Sequence, residues 1–193
     1  EKRRLFRDQG GIYRMTVQDD QGTANTRIPV TLWINQKAVQ LEIDPRWTML
    51  YVLREVLDLT GTKCGCQTGD CGACKIIADG IAVNACTLLA RKAHERQMKI
   101  ETIENLADGE GLHPIQEAFI ECGAVQCGYC IPGMIIVAKA LLDRNPDPDE
   151  SEIRKALSNN ICRCTGYVKI VQAIQLSAKR LKESREHAKS ESV

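Results

Sequence analysis

No run of the sequence approaches the roughly 18 uninterrupted apolar residues of a membrane span, so no span is expected. Surplus charge is also missing. Lys+Arg at 26 against Asp+Glu at 25 leave a formal +1, so no basic field points to nucleic acid. The start, Glu1 to Arg14, is charged and has no apolar core of a secretory signal. Nor is there an internal repeat. What remains is a 193-residue chain, 44% hydrophobic and 26% charged, long enough to bury a core without metals to hold it.

Cysteine is the exception to this plain composition, with ten residues in two groups: Cys64, Cys66, Cys71, Cys74 and Cys86, then Cys122, Cys127, Cys130, Cys162 and Cys164. A secreted disulfide framework is one reading of such a count. Against it, Cys64/Cys66 and Cys162/Cys164 are too close in sequence to bridge easily, and a chain of this length needs no staples. Thiolates on metal are the expected use.

The polar segment 1–27 reads as an arm or disordered lead-in. Ile28, Val30, Leu32 and Ile34 then alternate with Pro29, Thr31, Trp33 and Asn35, and Val39, Leu41 and Ile43 alternate likewise, which predicts a hairpin turning at Asn35-Gln36-Lys37. Met49, Val52, Leu53, Val56 and Leu57 recur at helical spacing behind Thr48 as N-cap. After the cysteine loop 64–74, Ile76-Ile77-Ala78 and Ile81-Ala82-Val83 flank Asp79-Gly80, a tight-turn signal, and Ile100 and Ile103 suggest one more strand. Past His113 the period becomes helical: Pro114 to Glu121, Pro132 to Asp143, a third helix with Ile153 to Leu157 as its core face, and Tyr167 to Lys182 with Val168, Val171, Ile174 and Leu181 buried. For the third helix, Asp147 as N-cap, Pro148 in the first position and Glu150 suggest a capping box. The chain is expected to divide into an arm (1–27), a sheet unit (28–105), a helical unit (106–182) and a charged tail (183–193).

Cys66, Cys71 and Cys74 are spaced C-x4-C-x2-C, with Cys86 one hairpin later, the plant-type ligand order for a [2Fe-2S] cluster. Four thiolates on two ferric ions and two sulfides carry a charge of about −2, which calls for backbone dipoles at close range. Gly65, Gly69 and Gly72 would allow the loop to wrap that closely. Structural zinc is the alternative, though zinc sites usually show two C-x2-C knuckles and this group has one. In the second group, Cys127-Gly128-Tyr129-Cys130 and Cys162-Arg163-Cys164 offer four more thiolates at the starts of two helices, where free N–H groups suit an anionic cluster. A redox dithiol at Cys127/Cys130 would leave Cys162 and Cys164 idle. None of His94, His113 and His187 forms a C-x-H pair, so a mixed His/Cys site is unsupported. Two loaded clusters would move the formal charge from +1 to about −3.

Three strings in order, Gly65-Cys66-Gln67-Thr68-Gly69-Asp70-Cys71-Gly72-Ala73-Cys74, Gln126-Cys127-Gly128-Tyr129-Cys130-Ile131-Pro132-Gly133-Met134 and Cys162-Arg163-Cys164-Thr165-Gly166-Tyr167, closely resemble the small iron–sulfur subunit of the xanthine oxidase family of molybdenum hydroxylases. The likeness runs from about Ile28 to Leu181. It implies an α+β fold, an N-terminal β-grasp, plant-ferredoxin-like domain followed by a C-terminal four-helix-bundle [2Fe-2S] domain. The implied ligand sets are Cys66, Cys71, Cys74 and Cys86 for the first cluster and Cys127, Cys130, Cys162 and Cys164 for the second. A large partner subunit would carry a molybdenum–pterin cofactor, approached by Gln126 and the backbone at Cys164, and a medium subunit would carry FAD. Electrons would then pass from the helical site to the ferredoxin site and on to FAD or an external acceptor, in a cytoplasmic enzyme, with export of the folded complex left open. A freestanding two-cluster carrier is the rival. Departures from the family pattern are Ile131 and Lys75 where Thr is common, the extra thiols Cys64 and Cys122, and the long arm; none falls on a ligand position.

Overall fold

The computed structural model describes residues 5–7, 13–15, 27–107 and 111–190. Two of its strands fall inside the expected arm. β1 (Leu5–Arg7) and β2 (Tyr13–Met15) pair with each other, and β2 joins β4 in parallel, so at these positions the chain extends the sheet; 1–4, 8–12 and 16–26 lie outside the described residues. β3 (Ile28–Ile34) and β4 (Lys37–Ile43) form the expected antiparallel hairpin, Ile28 opposite Ile43 and Ile34 opposite Lys37. Asn35 and Gln36 turn it with φ of 50° and 64°, the mirror-type turn that matches strand twist.

β5 (Lys75–Ala78) and β6 (Ile81–Asn84) form the second hairpin about Asp79-Gly80. β7 (Lys99–Glu101) fits between β3, parallel to it, and β5, antiparallel, and closes the order β1-β2-β4-β3-β7-β5-β6. Ile103 is not part of this last strand, because the chain has already turned into a 3-10 segment, Ile103–Asn105. On the sheet lies α1 (Met49–Tyr51), capped by Thr48 Oγ1 and continuing as a π-helical turn over Val52–Val56. α2 (Ala90–Glu95), unforeseen in the sequence, buries Ala90 and Ala93. Leu32, Ile43, Met49, Leu53, Ile76 and Ile100 fill the core between sheet and helices.

The helical half holds α3 (Pro114–Glu121), α4 (Ile131–Arg144), α5 (Glu150–Leu157) and α6 (Val168–Ser190), packed on Phe119, Met134, Ile136, Ile153 and Ile174. Three expectations are corrected. The α5 cap is Asp149, whose carboxylate accepts Glu152 N–H at 2.8 Å while Glu152 accepts Asp149 N–H at 2.9 Å; Asp147 instead faces Lys182 at 3.5 Å. Val168 at the start of α6 is 55% exposed, and Ile170 takes the buried position. α6 also continues to Ser190, eight residues past Lys182, through the segment read as a tail.

The halves are joined at β5. Ile76 and Ala78 point into the ferredoxin-side core, while Ile77 between them packs with the helices, as strand alternation requires. An almost wholly apolar strand, Lys75-Ile76-Ile77-Ala78, is the sequence mark of this two-sided burial.

Candidate metal centres

The loop before β5 and the turn after β6 bring four sulfurs together as an outer pair, Cys66 and Cys71, both half-buried, and an inner pair, Cys74 and Cys86, both buried. Cys66 Sγ accepts N–H bonds from Thr68 and Cys71, each at 3.4 Å. The Thr68 hydroxyl foremost, then these N–H groups, hold the Cys66 thiol down to about 6; the hydroxyl's single proton is shared with Asp70 Oδ2, 2.5 Å away. Burial, reinforced by the neighbouring Cys74, pushes Cys86 up to about 12. A Cβ on Gly65 would lie 2.6 Å from Cys71 Sγ, so only glycine lets the loop close on its own sulfurs. Asn84 Nδ2 braces the loop by donating to Gly69 O at 2.6 Å. Gly72 differs from Gly65 in what it faces. A Cβ there would lie 2.1 Å from Asn159 O, so its smallness serves contact with the helical half.

The second site repeats the pattern on the loops before α4 and α6. Cys127 and Cys164 form an exposed pair 3.6 Å apart, and Cys130, buried, pairs with Cys162 behind them. Two thiolates on one tetrahedral metal at about 2.3 Å are about 3.8 Å apart, close to the spacing of that outer pair. Burial, then Cys162, pushes Cys130 up to about 12. At Cys162 burial opposes ionisation, yet the Thr165 hydroxyl at 3.1 Å and Thr165 N–H at 3.4 Å outweigh it and bring the thiol below its ordinary value. Cys164 is raised by sharing a hydrogen bond with Cys127. Gln126, next to Cys127 in the chain, is exposed.

Among the described residues no three His, Cys, Asp or Glu side chains converge on the space of one ion. Two pairs per site, one outside and one inside, fit a diiron cluster, in which each iron takes two thiolates, better than the single tetrahedron of zinc. Cys64 stands aside: it packs partly on the ferredoxin core and its sulfur accepts from Gln67 Nε2 at 3.2 Å. Cys122, at the end of α3, packs half-buried against the helical core. The sequence reading missed the roles of Thr68, Thr165 and Tyr167. Each lies within the quoted strings, but a hydroxyl that serves a sulfur, or, at Tyr167, the backbone of a cysteine, leaves no periodic signal.

Residues 33–106 match the family described as "2Fe-2S iron-sulfur cluster binding domain", and residues 102–175 the family described as "[2Fe-2S] binding domain". The nicotinate dehydrogenase small FeS subunit of Eubacterium barkeri is 46% identical over 154 residues, 80% of this chain and 97% of the relative. The chain belongs to the small iron–sulfur subunits of the xanthine oxidase family. Another such subunit, the aldehyde oxidoreductase iron-sulfur-binding subunit PaoA of Escherichia coli K12, is 41% identical, covering 80% of this chain and 73% of the relative. Among solved structures, quinoline 2-oxidoreductase from Pseudomonas putida 86 superposes with a TM-score of 0.77 at 40% identity, over 81% of this chain and 97% of that one. As an iron–sulfur subunit of this family, the protein is the electron-transfer part of a multi-subunit oxidoreductase.

Proposed function

We propose that this chain carries single electrons within a molybdenum-cofactor hydroxylase, between a molybdenum–pterin centre on a larger partner and FAD on a medium subunit or an external acceptor. The observation that carries the reading is the doubled arrangement of sulfur pairs in two cluster-binding domains. Cys66, Cys71, Cys74 and Cys86 would hold one [2Fe-2S] cluster, and Cys127, Cys130, Cys162 and Cys164 the other. Such clusters supply reversible one-electron exchange, which suits a partner whose substrate oxidation releases electrons two at a time.

The chain's own residues bind and tune. Thr68, Cys71 and Thr165 aim N–H groups at sulfur, which stabilises negative charge there. The burial of Cys74, Cys86 and Cys130 keeps water from the inner sulfurs. The exposed edge formed by Gln126, Cys127 and Cys164 would face the pterin-bearing partner. We place the division of the chain between a sheet unit and a helical unit near residue 105, and the complex in the cytoplasm. No helix among the described residues is long and apolar enough to cross a membrane. The partner's pocket, not this chain, would select the substrate. Purification of the intact protein from its host tests the reading: it should co-elute with a larger molybdenum-bearing chain, and recovery as an iron-loaded monomer with no such partner would favour the freestanding carrier.

A further inference from the structure

The two ligand loops meet along a narrow seam made by a handful of hydrogen bonds. Ile161 N–H donates to Cys71 O at 2.9 Å, and Asn160 Nδ2 donates to Gly72 O at 3.1 Å. On the helical side the Tyr167 hydroxyl accepts Cys162 N–H at 2.8 Å and donates to Asn160 O at 3.1 Å. Two routes of polar contacts therefore run from the Cys71–Cys74 loop to the backbone of Cys162, one directly through the Ile161 amide and one through the side chains of Asn160 and Tyr167, which hold the first in place.

The seam leaves no slack. Asn160 is 1% exposed, and its Oδ1 finds no partner, so the amide is held in place by its one donor bond and by close packing. A Cβ on Gly72 would lie 2.6 Å from Asn160 Oδ1, and one on Gly133 would lie 2.6 Å from Gly72 O. Tyr167 reaches back beneath Cys162 by adopting a φ of 70° directly after Gly166 at 65°. A bulky residue keeps that backbone only where its surroundings dictate it, and such strain collects at functional positions. A further polar link, from the loop before α4, is Tyr129 Oη donating to Cys64 O at 2.5 Å; Tyr129 is half exposed and the contact ends two residues short of Cys66.

We propose that Asn160 and Tyr167 are positioning residues that fix the separation and orientation of the two sulfur-ligated centres, and so set the rate at which one electron crosses between them. The inference rests on the ligand sets proposed above. With clusters held on those two cysteine sets, the one on Cys127, Cys130, Cys162 and Cys164 would give up one electron and the one on Cys66, Cys71, Cys74 and Cys86 would take it up, with no bond or proton exchanged. Electronic coupling falls steeply wherever a bonded contact gives way to a gap, so a loosened seam slows transfer even with both centres intact.

Tyr167→Phe removes only the hydroxyl, and Asn160→Ser shortens the amide; both are made in the intact complex. Iron per chain and the electron paramagnetic resonance g-values report whether each centre is present. The magnetic splitting between the two reduced centres and the transfer rate after rapid partial reduction report the seam, and hydrogen exchange at the Ile161 and Cys162 amides reports its stiffness. We expect unchanged iron and g-values, faster exchange, weakened splitting and transfer slowed several-fold in both variants. Unaltered splitting and transfer with both centres full would overturn the proposal. So would loss of iron from the helical site in Tyr167→Phe, which would make the hydroxyl a prop for Cys162 alone. Failure of the ligand sets themselves would appear separately, as cysteine substitutions that leave the iron count untouched.

Discussion

At Cys66 the hydrogen bonds gathered from Thr68 and Cys71 make a thiolate available at neutral pH, whereas Cys86 and Cys130, raised to about 12, stay protonated in the metal-free chain. Thiolates are the nucleophiles, so alkylation reads this difference directly. In apo-protein treated briefly with iodoacetamide at pH 7, mass spectrometry should find Cys66 modified well before Cys86 and Cys130; equal labelling would show that the donors do not act on Cys66. The same values fix a pH dependence. Unfolded thiols ionise near 9.0, and the two buried thiols only near 12, so rising pH through that window favours the unfolded chain and apo-protein stability falls. Cys66 acts oppositely between about 6 and 9, where stability rises with pH. Urea midpoints of the apo-chain should therefore drop above pH 9, and those of the loaded chain, whose sulfurs are already thiolates on metal, should lack that drop.

Among the elements, those with a long period were readable and those without were not. β3 and β4 alternate over seven residues each, and α4 buries residues along fourteen. α2 is six residues with only Ala90 and Ala93 buried, too short to show a helical stripe. The end of α6 was hidden for another reason: beyond Lys182 the helix has no apolar face and is carried by local pairs such as Lys179–Glu183 and Ser184 Oγ to Arg180 O. At α5 the sequence offers two boxes in succession, Asp147/Glu150 and Asp149/Glu152, and Pro148 favours the first; the reciprocal hydrogen bonds select the second. Asp149→Ala should thus cost about 1 kcal/mol of stability and lower the melting temperature. Asp147→Ala removes only an exposed ion pair and should leave it nearly unchanged. The close cysteine spacings, Cys66-x4-Cys71-x2-Cys74, Cys127-x2-Cys130 and Cys162-x-Cys164, are visible in the sequence without any fold, whereas Cys86, twelve residues past Cys74, joins its group only through the β5–β6 hairpin. The seam between the loops is not visible there, since Asn160 and Tyr167 acquire their roles only when Gly72, 88 residues from Asn160, is brought alongside.

For the whole molecule, two small folds share one strand and one seam, which turns a pair of cluster loops into a single relay of fixed geometry. The ferredoxin half alone would expose Ile77 and the Gly72 carbonyl; the helical half alone would lose the loop on which Asn160 and Gly133 rest. Everything then depends on what the eight paired sulfurs hold. Iron and acid-labile sulfide analysis of anaerobically prepared protein, with electron paramagnetic resonance of the reduced form, measures it. Two loaded centres predict about four irons and four sulfides per chain and two distinguishable signals, one of which disappears in Cys127→Ala. A colourless zinc protein, fewer than about three irons per chain, or survival of both signals in that variant would contradict it.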